Sequence, residues 1–224
     1  MENGFKINRL ANHVLHSGGA YGADTAFAWY GIRYGITPDR QHHYRPDNNI
    51  NLPKQLKSIG ITPHILTSEE MEECYKFMFE CLEGKTKKKF QRTFVDDLKA
   101  RNYYQVKNSQ VIYAISELTP DFQSVLGGTK YAIEYAKVLN KLIYVFDWTY
   151  NAWYVYTNKE HGFELFQGEV PTLYKSFAGI GSRKIQEYQV KDKITGEWVN
   201  NPDYIGDELK NCALSAIDNL YQNY

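Results

Sequence analysis

Apolar residues fall in short runs, separated by glycine, proline and polar turns. Two runs are nearly continuous: Gln110 to Ser116 (QVIYAIS) and Lys141 to Asp147 (KLIYVFD). The first reads as a strand, and the second fits a parallel strand covered on both faces. His13-Val14-Leu15 and Phe177 to Ser182 are shorter strand-like stretches that end in glycines. Gln41 to Tyr44 reads as a brief strand, and Asn151 to Phe166 alternates like a hairpin with its turn at 158–162. Helical spacing is clearest near the C-terminus, where Leu209, Cys212, Ala213, Ala216, Ile217 and Leu220 line one face of a helix expected over Asp203–Tyr221. Further helices are expected over Thr25–Tyr34, Ser68–Leu82, Phe90–Lys107 and Lys130–Leu139. Ser68 followed by Glu69 and Glu70 is an N-cap with acids in the first turn. Gly84 should break that helix before a basic link, Lys85–Lys89. Residues 50–67, interrupted by Pro53 and Pro63, are expected to be irregular, and 186–203 a turn-rich excursion.

Strands alternating with helices predict an α/β, Rossmann-like, mostly parallel sheet with flanking helices plus a β-hairpin. No internal repeat or linker divides the chain, so residues 1–224 are expected to form one domain.

Two strand-to-helix crossings carry glycines. The first is Ser17-Gly18-Gly19-Ala20-Tyr21-Gly22-Ala23-Asp24, and the second is Gly127-Gly128-Thr129. Glycine permits backbone conformations and close approaches that a side chain forbids, and the helix start leaves free N–H groups that suit phosphate. Asp24 lies in the first turn, placed either to cap the helix or to meet a ribose hydroxyl. The first turn reads GGxxG rather than GxGxxG, and no P-loop sequence occurs, so a standard dinucleotide fold or P-loop NTPase is disfavoured.

Bulk properties narrow the class. Twenty-six basic and 26 acidic residues balance, so no field favours nucleic acid or an anionic membrane. Cys74, Cys81 and Cys212 show no metal-ligand spacing and suit a reducing cytoplasm. No apolar run approaches a membrane span, and the start of the chain lacks a signal-peptide core. Cytoplasmic localisation is expected. The 19 tyrosines, spread along the chain, suit either a self-associating surface and a homo-oligomer or a pocket that stacks a base. His42 and His43 are adjacent and would face opposite sides of a strand, so no metal site or cofactor is expected. His16 is either a structural histidine or a ligand contact, and Asp147 ends a strand at the edge where open sheets bind ligands.

Ser17 to Asp24, Gly127-Gly128-Thr129 and Gly179-Ile180-Gly181-Ser182-Arg183 together resemble the SLOG superfamily. That Rossmann-like group includes the DNA-processing protein A family, the LOG cytokinin-activating enzymes and nucleotide-sensing domains of bacterial defence. In many members the Gly-Ser-Arg strand comes first; here it lies near the C-terminus, as in a circularly permuted fold of the phage and bacterial type. The resemblance implies that the three motifs converge, with Arg183 meeting phosphate and Tyr21, Trp29 or Tyr131 lining the pocket. It implies a binder of an ADP-ribose-like or cyclic-nucleotide immune signal. Acting alone, such a domain would be a sponge that sequesters the signal, suited to a phage anti-defence protein in the host-cell cytoplasm. The alternative is a nucleoside or nucleotide N-glycosidase or deoxyribosyltransferase using Glu134 or Asp24. The LOG motif PGGxGTxxE is incomplete here: its proline and third glycine are missing, and Glu134 stands five residues beyond Thr129 instead of three. A surface glutamate is the plainer reading of that position.

Overall fold

The computed structural model describes residues 8–82, 93–186, 189–191, 198–200 and 204–224. The expected break at Gly84, the basic link and the start of the helix at Phe90 lie outside the described residues.

The elements run β1 (Val14–Ser17), α1 (Ala23–Tyr34), β2 (Gln41–Arg45), α2 (Lys54–Ser58), β3 (Pro63–Ile65), α3 (Ser68–Leu82), α4 (Phe94–Ala100) and α5 (Asn102–Lys107). They continue with β4 (Val111–Ile115), α6 (Lys130–Val138), β5 (Leu142–Asp147), β6 (Ala152–Asn158), β7 (Gly162–Leu165), β8 (Ser176–Gly181), β9 (Gln189–Lys191), β10 (Trp198–Asn200) and α7 (Asp207–Gln222). Eight strands form one sheet in the order β3-β2-β1-β8-β4-β5-β6-β7. The first six in that order are parallel, and β6 and β7 add an antiparallel hairpin. This is a Rossmann-like α/β fold. Strands β9 and β10 form a separate antiparallel pair inside the expected excursion.

Strand alternation explains the continuous apolar runs. Val111, Tyr113 and Ile115 face α1 and α7, among Phe27, Ile217 and Tyr221. Ile112 and Ala114 face the other way, among Cys74 and Met78 of α3, Val106 of α5 and Ile133 of α6. Both faces of β4 are buried, so both sets of positions must be apolar.

Strand β1 lies beside β8: Val14, Leu15 and His16 pair in parallel with Ser176, Phe177 and Ala178. Helix α7 packs on α1, with Tyr221 Oη donating to Phe27 O at 2.8 Å and Tyr34 Oη to Asp218 at 2.7 Å. It returns the chain to the start of β1, where the Tyr224 and His13 rings meet edge-on at 4.6 Å.

Two expectations change. Residues 50–67 hold α2 and the edge strand β3, and Pro63 opens β3, a position that needs no ladder N–H. The helix expected through residue 107 is two helices divided at Arg101. Thr93 caps α4 in a reciprocal pair with Asp96. Arg101 sends its guanidinium inward to the carbonyls of Gly18 and Tyr44.

Candidate functional site

The chain leaves β1 at Ser17, whose Oγ donates to Gly179 O of β8 at 2.8 Å. The glycine turn follows, and α1 begins at Ala23. Asp24 is buried in the first turn of α1, and it makes no capping bond to the helix's own N–H groups. Its carboxylate accepts from Ala20 N at 3.1 Å, bracing the turn that precedes the helix. Burial raises its pKa, against the pull of Arg101 and of the nearby backbone of Ala20, Gly18 and Gly181. Gly22, at φ 87°, must be glycine: a Cβ there would stand 2.4 Å from Ser182 O and 2.7 Å from Arg183 Cα. The first and third motifs therefore pack backbone to backbone, joined by Ala23 N to Ser182 O at 3.2 Å.

The third motif is also tied to β4, through Ser182 N to Ile115 O at 2.8 Å. Ser182 Oγ accepts from Lys184 N at 3.1 Å. Arg183 is exposed, and no side-chain partner holds it among the described residues. The second motif forms a 3-10 turn at Gly127–Thr129 that opens α6. Thr129 is buried, but a Cβ on Gly127 or Gly128 would meet nothing within 4 Å, so that rim faces outward. Glu117 links the second and third motifs: its carbonyl accepts from Leu126 N at 2.8 Å, and its carboxylate accepts from Lys184 Nζ at 3.1 Å. All three motifs thus lie at the carboxyl edge of three neighbouring parallel strands, β1, β8 and β4.

No protein-family model, characterised protein or solved structure matches the chain.

Several singled-out residues have other tasks. Glu134 on α6 accepts from Ser124 Oγ at 2.7 Å and from Lys137 Nζ at 2.8 Å. Lys137 in turn lies over Tyr156 of the hairpin, so this carboxylate belongs to the contact between α6 and β6. Asp147 is buried and accepts from Leu118 N at 2.7 Å and Thr149 N at 2.8 Å, which fixes the loops after β4 and β5. His16 takes the structural role, within reach of Tyr44 Oη at 3.0 Å and Ser176 Oγ at 3.2 Å. Its pKa is pushed down to about 3, by burial first and then by His42, Lys141 and His64. Tyr21 is exposed at the turn. Tyr131 lies beneath the ammonium groups of Lys99 and Lys130, each 5.4 Å from its ring. Trp29 is exposed on α1 beside Tyr30 and Arg33, with the Arg33 guanidinium 5.8 Å from its ring.

Three residues at the turn were not singled out as site residues. Arg45 and Arg101 are buried beneath it, and both donate to Gly18 O. His43 is fully buried, and neither ring nitrogen has a partner among the described residues; Arg101 Nε is likewise unpartnered. Each such group costs about 1–3 kcal/mol. Burial first, then Arg101, His42 and Arg45, push the His43 pKa down to about 3. Burial also lowers Arg101 to about 10, opposed by Asp24 and assisted by Arg45. The charged end of β2 at Arg45, before Pro46, is a weak sequence signal for this cluster.

Two cavities lie elsewhere. One of about 580 Å³ runs beside α7 over Phe146 and Trp153, with Glu169 and Glu208 on its rim. One of about 240 Å³ is lined by Asp47, Asp97, Thr67 and Tyr75 among others. Neither lining contains Lys or Arg, and each carries two carboxylates, so neither offers phosphate a cation. Among the described residues no helix is long and apolar enough to cross a membrane, and no three His, Cys, Asp or Glu are grouped to hold a metal.

Proposed function

We propose that the chain is a permuted SLOG-type binding protein for a small phosphate-bearing, nucleotide-derived ligand, ADP-ribose-like or a cyclic dinucleotide, and that it holds the ligand without cleaving it. The observation that carries this reading is the common edge of the three motifs. They follow three adjacent parallel strands, with Arg183 exposed beside the Gly22 turn and the Gly127-Gly128 rim open. Arg183 supplies a charge-assisted donor pair for phosphate, and exposed Tyr21 offers a flat face to a base. The two carboxylates an N-glycosidase would use favour binding over turnover. Asp24 is buried and engaged by Ala20 N, and Glu134 is engaged by Ser124 and Lys137. Sequestration is the use to which such a binder is suited, since it requires affinity and slow release but no bond cleavage.

Isothermal titration calorimetry with ADP-ribose and with a cyclic dinucleotide tests the reading. Arg183→Ala should lose about 1.5–3 kcal/mol of binding, roughly 10- to 150-fold in affinity. Its melting temperature should be unchanged, because the side chain is exposed. Equal affinity in wild type and variant would move the site elsewhere.

A further inference from the structure

Beneath the Gly18-Gly19 turn, two guanidinium groups face one carboxylate. Arg45 and Arg101 are buried, and Asp24 is the carboxylate that acts on both. Both arginines spend an Nη1 on the same carbonyl, Gly18 O, with the Arg45 contact long at 3.3 Å. His43 adds two buried nitrogens with no partner among the described residues, and Arg101 adds its Nε. The His43 ring lies against the turn, with Nδ1 3.4 Å from where a Cβ on Gly19 would stand. This is an excess of buried positive charge and unmet hydrogen-bonding groups, next to the start of the 12-residue helix α1. Such a combination suits an anion.

The covering group is Leu52. Its Cδ2 stands 2.5 Å from the Gly19 Cβ position, so it fills the space that glycine leaves. Its segment is tied down by Arg45 itself, through Nε to Asn49 O at 2.7 Å and Nη2 to Asn51 O at 3.1 Å. An anion that took those donors would release the two carbonyls that hold Leu52 in place.

We propose that Arg45, Arg101 and His43 form an anion subsite beneath the Gly18-Gly19 turn, opened by displacement of Leu52, that receives a phosphoryl group of the ligand. The subsite rests on the nucleotide-binding reading and assigns it a second phosphate contact, at Gly18 and Gly19, whereas Arg183 stands beside Gly22.

The test uses calorimetry with inorganic pyrophosphate, with ADP-ribose and with a cyclic dinucleotide on the full chain. His43→Phe removes both unpartnered nitrogens at nearly constant shape, so the fold is retained, as circular dichroism would check. It should weaken each probe that binds at least about tenfold, the scale of one lost charge-assisted bond. Leu52→Ala should tighten pyrophosphate binding about threefold or more, because less apolar surface must leave the turn. If the wild type binds and Arg183→Ala is weakened, while His43→Phe and Leu52→Ala match the wild type, the subsite is wrong and the binding function stands. If pyrophosphate binds in a His43-dependent way and neither ADP-ribose nor a cyclic dinucleotide does, the subsite stands and the nucleotide reading falls. If the wild type binds none of the three, both are overturned.

Discussion

Gly22 offers the sharpest test of how the turns are built. Replacing it with alanine forces a side chain into φ 87°, ψ −128° and places Cβ 2.4 Å from Ser182 O. Backbone strain of this kind costs about 1–3 kcal/mol. Relief of the clash costs a further 1–3 kcal/mol or so, as in overpacked cores, because the obstructing atoms are backbone and cannot rotate away. The expected loss is about 2–6 kcal/mol, or roughly 2–4 °C in melting temperature per kcal/mol for a chain of this size. Gly127 and Gly128 are internal controls. Gly127→Ala pays for φ 73° alone, about 1–2 kcal/mol, since nothing lies within 4 Å of its Cβ position. Gly128→Ala meets open space without a positive φ, so it should be neutral or stabilise by up to about 1 kcal/mol. Urea denaturation of the three variants reads the order directly. If Gly22→Ala unfolds at the same midpoint as Gly128→Ala, the backbone contact between the first and third motifs is not as described.

Histidine burial should make the protein acid-sensitive. His16 and His43 both titrate at about 3 when folded, against 6.5 unfolded, so their contribution is present above pH 6.5 and is lost as pH falls toward 3. Each should cost about 2 kcal/mol between pH 6.5 and 5 in urea titrations. His43→Phe should remove about one proton from that slope, and an unchanged slope would contradict the burial. Glu134→Gln removes a part-exposed ion pair to Lys137, so stability should fall by less than about 1 kcal/mol and ligand affinity by less than about threefold. Chromatography of nucleosides, nucleotides and ADP-ribose derivatives incubated with wild type should show no base release. Multiple turnover that is abolished in Glu134→Gln would establish the glycosidase instead.

Strands β4 and β5 were legible because burial on both faces leaves a continuous apolar run that few other elements produce. Helix α7 was legible because one face alone is buried, which gives clean helical spacing. Strand β3 was not: it is a three-residue edge strand, exposed at His64 and Ile65, and it carries no pattern. The division at Arg101 was hidden as well, since nothing in the local sequence opposes a helix through 107. Its cause is tertiary, the burial of a guanidinium on carbonyls 57 and 83 residues away in sequence. The glycine motifs stood out, but part of their meaning did not. Gly22 is required by the backbone of residues 182 and 183, and Gly18 leaves room for the Arg101 guanidinium. His43, Arg45 and Arg101 are separated in sequence and form no motif, so only the fold reveals them as a cluster.

Native mass spectrometry tests the central claim most directly. The protein is purified from cells that contain ADP-ribose derivatives and cyclic dinucleotides, its intact mass is recorded, and the complex is then heated and the released material weighed. The account predicts one phosphate-bearing ligand per site, returned chemically unchanged, with occupancy reduced in Arg183→Ala. A protein that carries nothing, or one that releases a free base and a ribose phosphate, would contradict it.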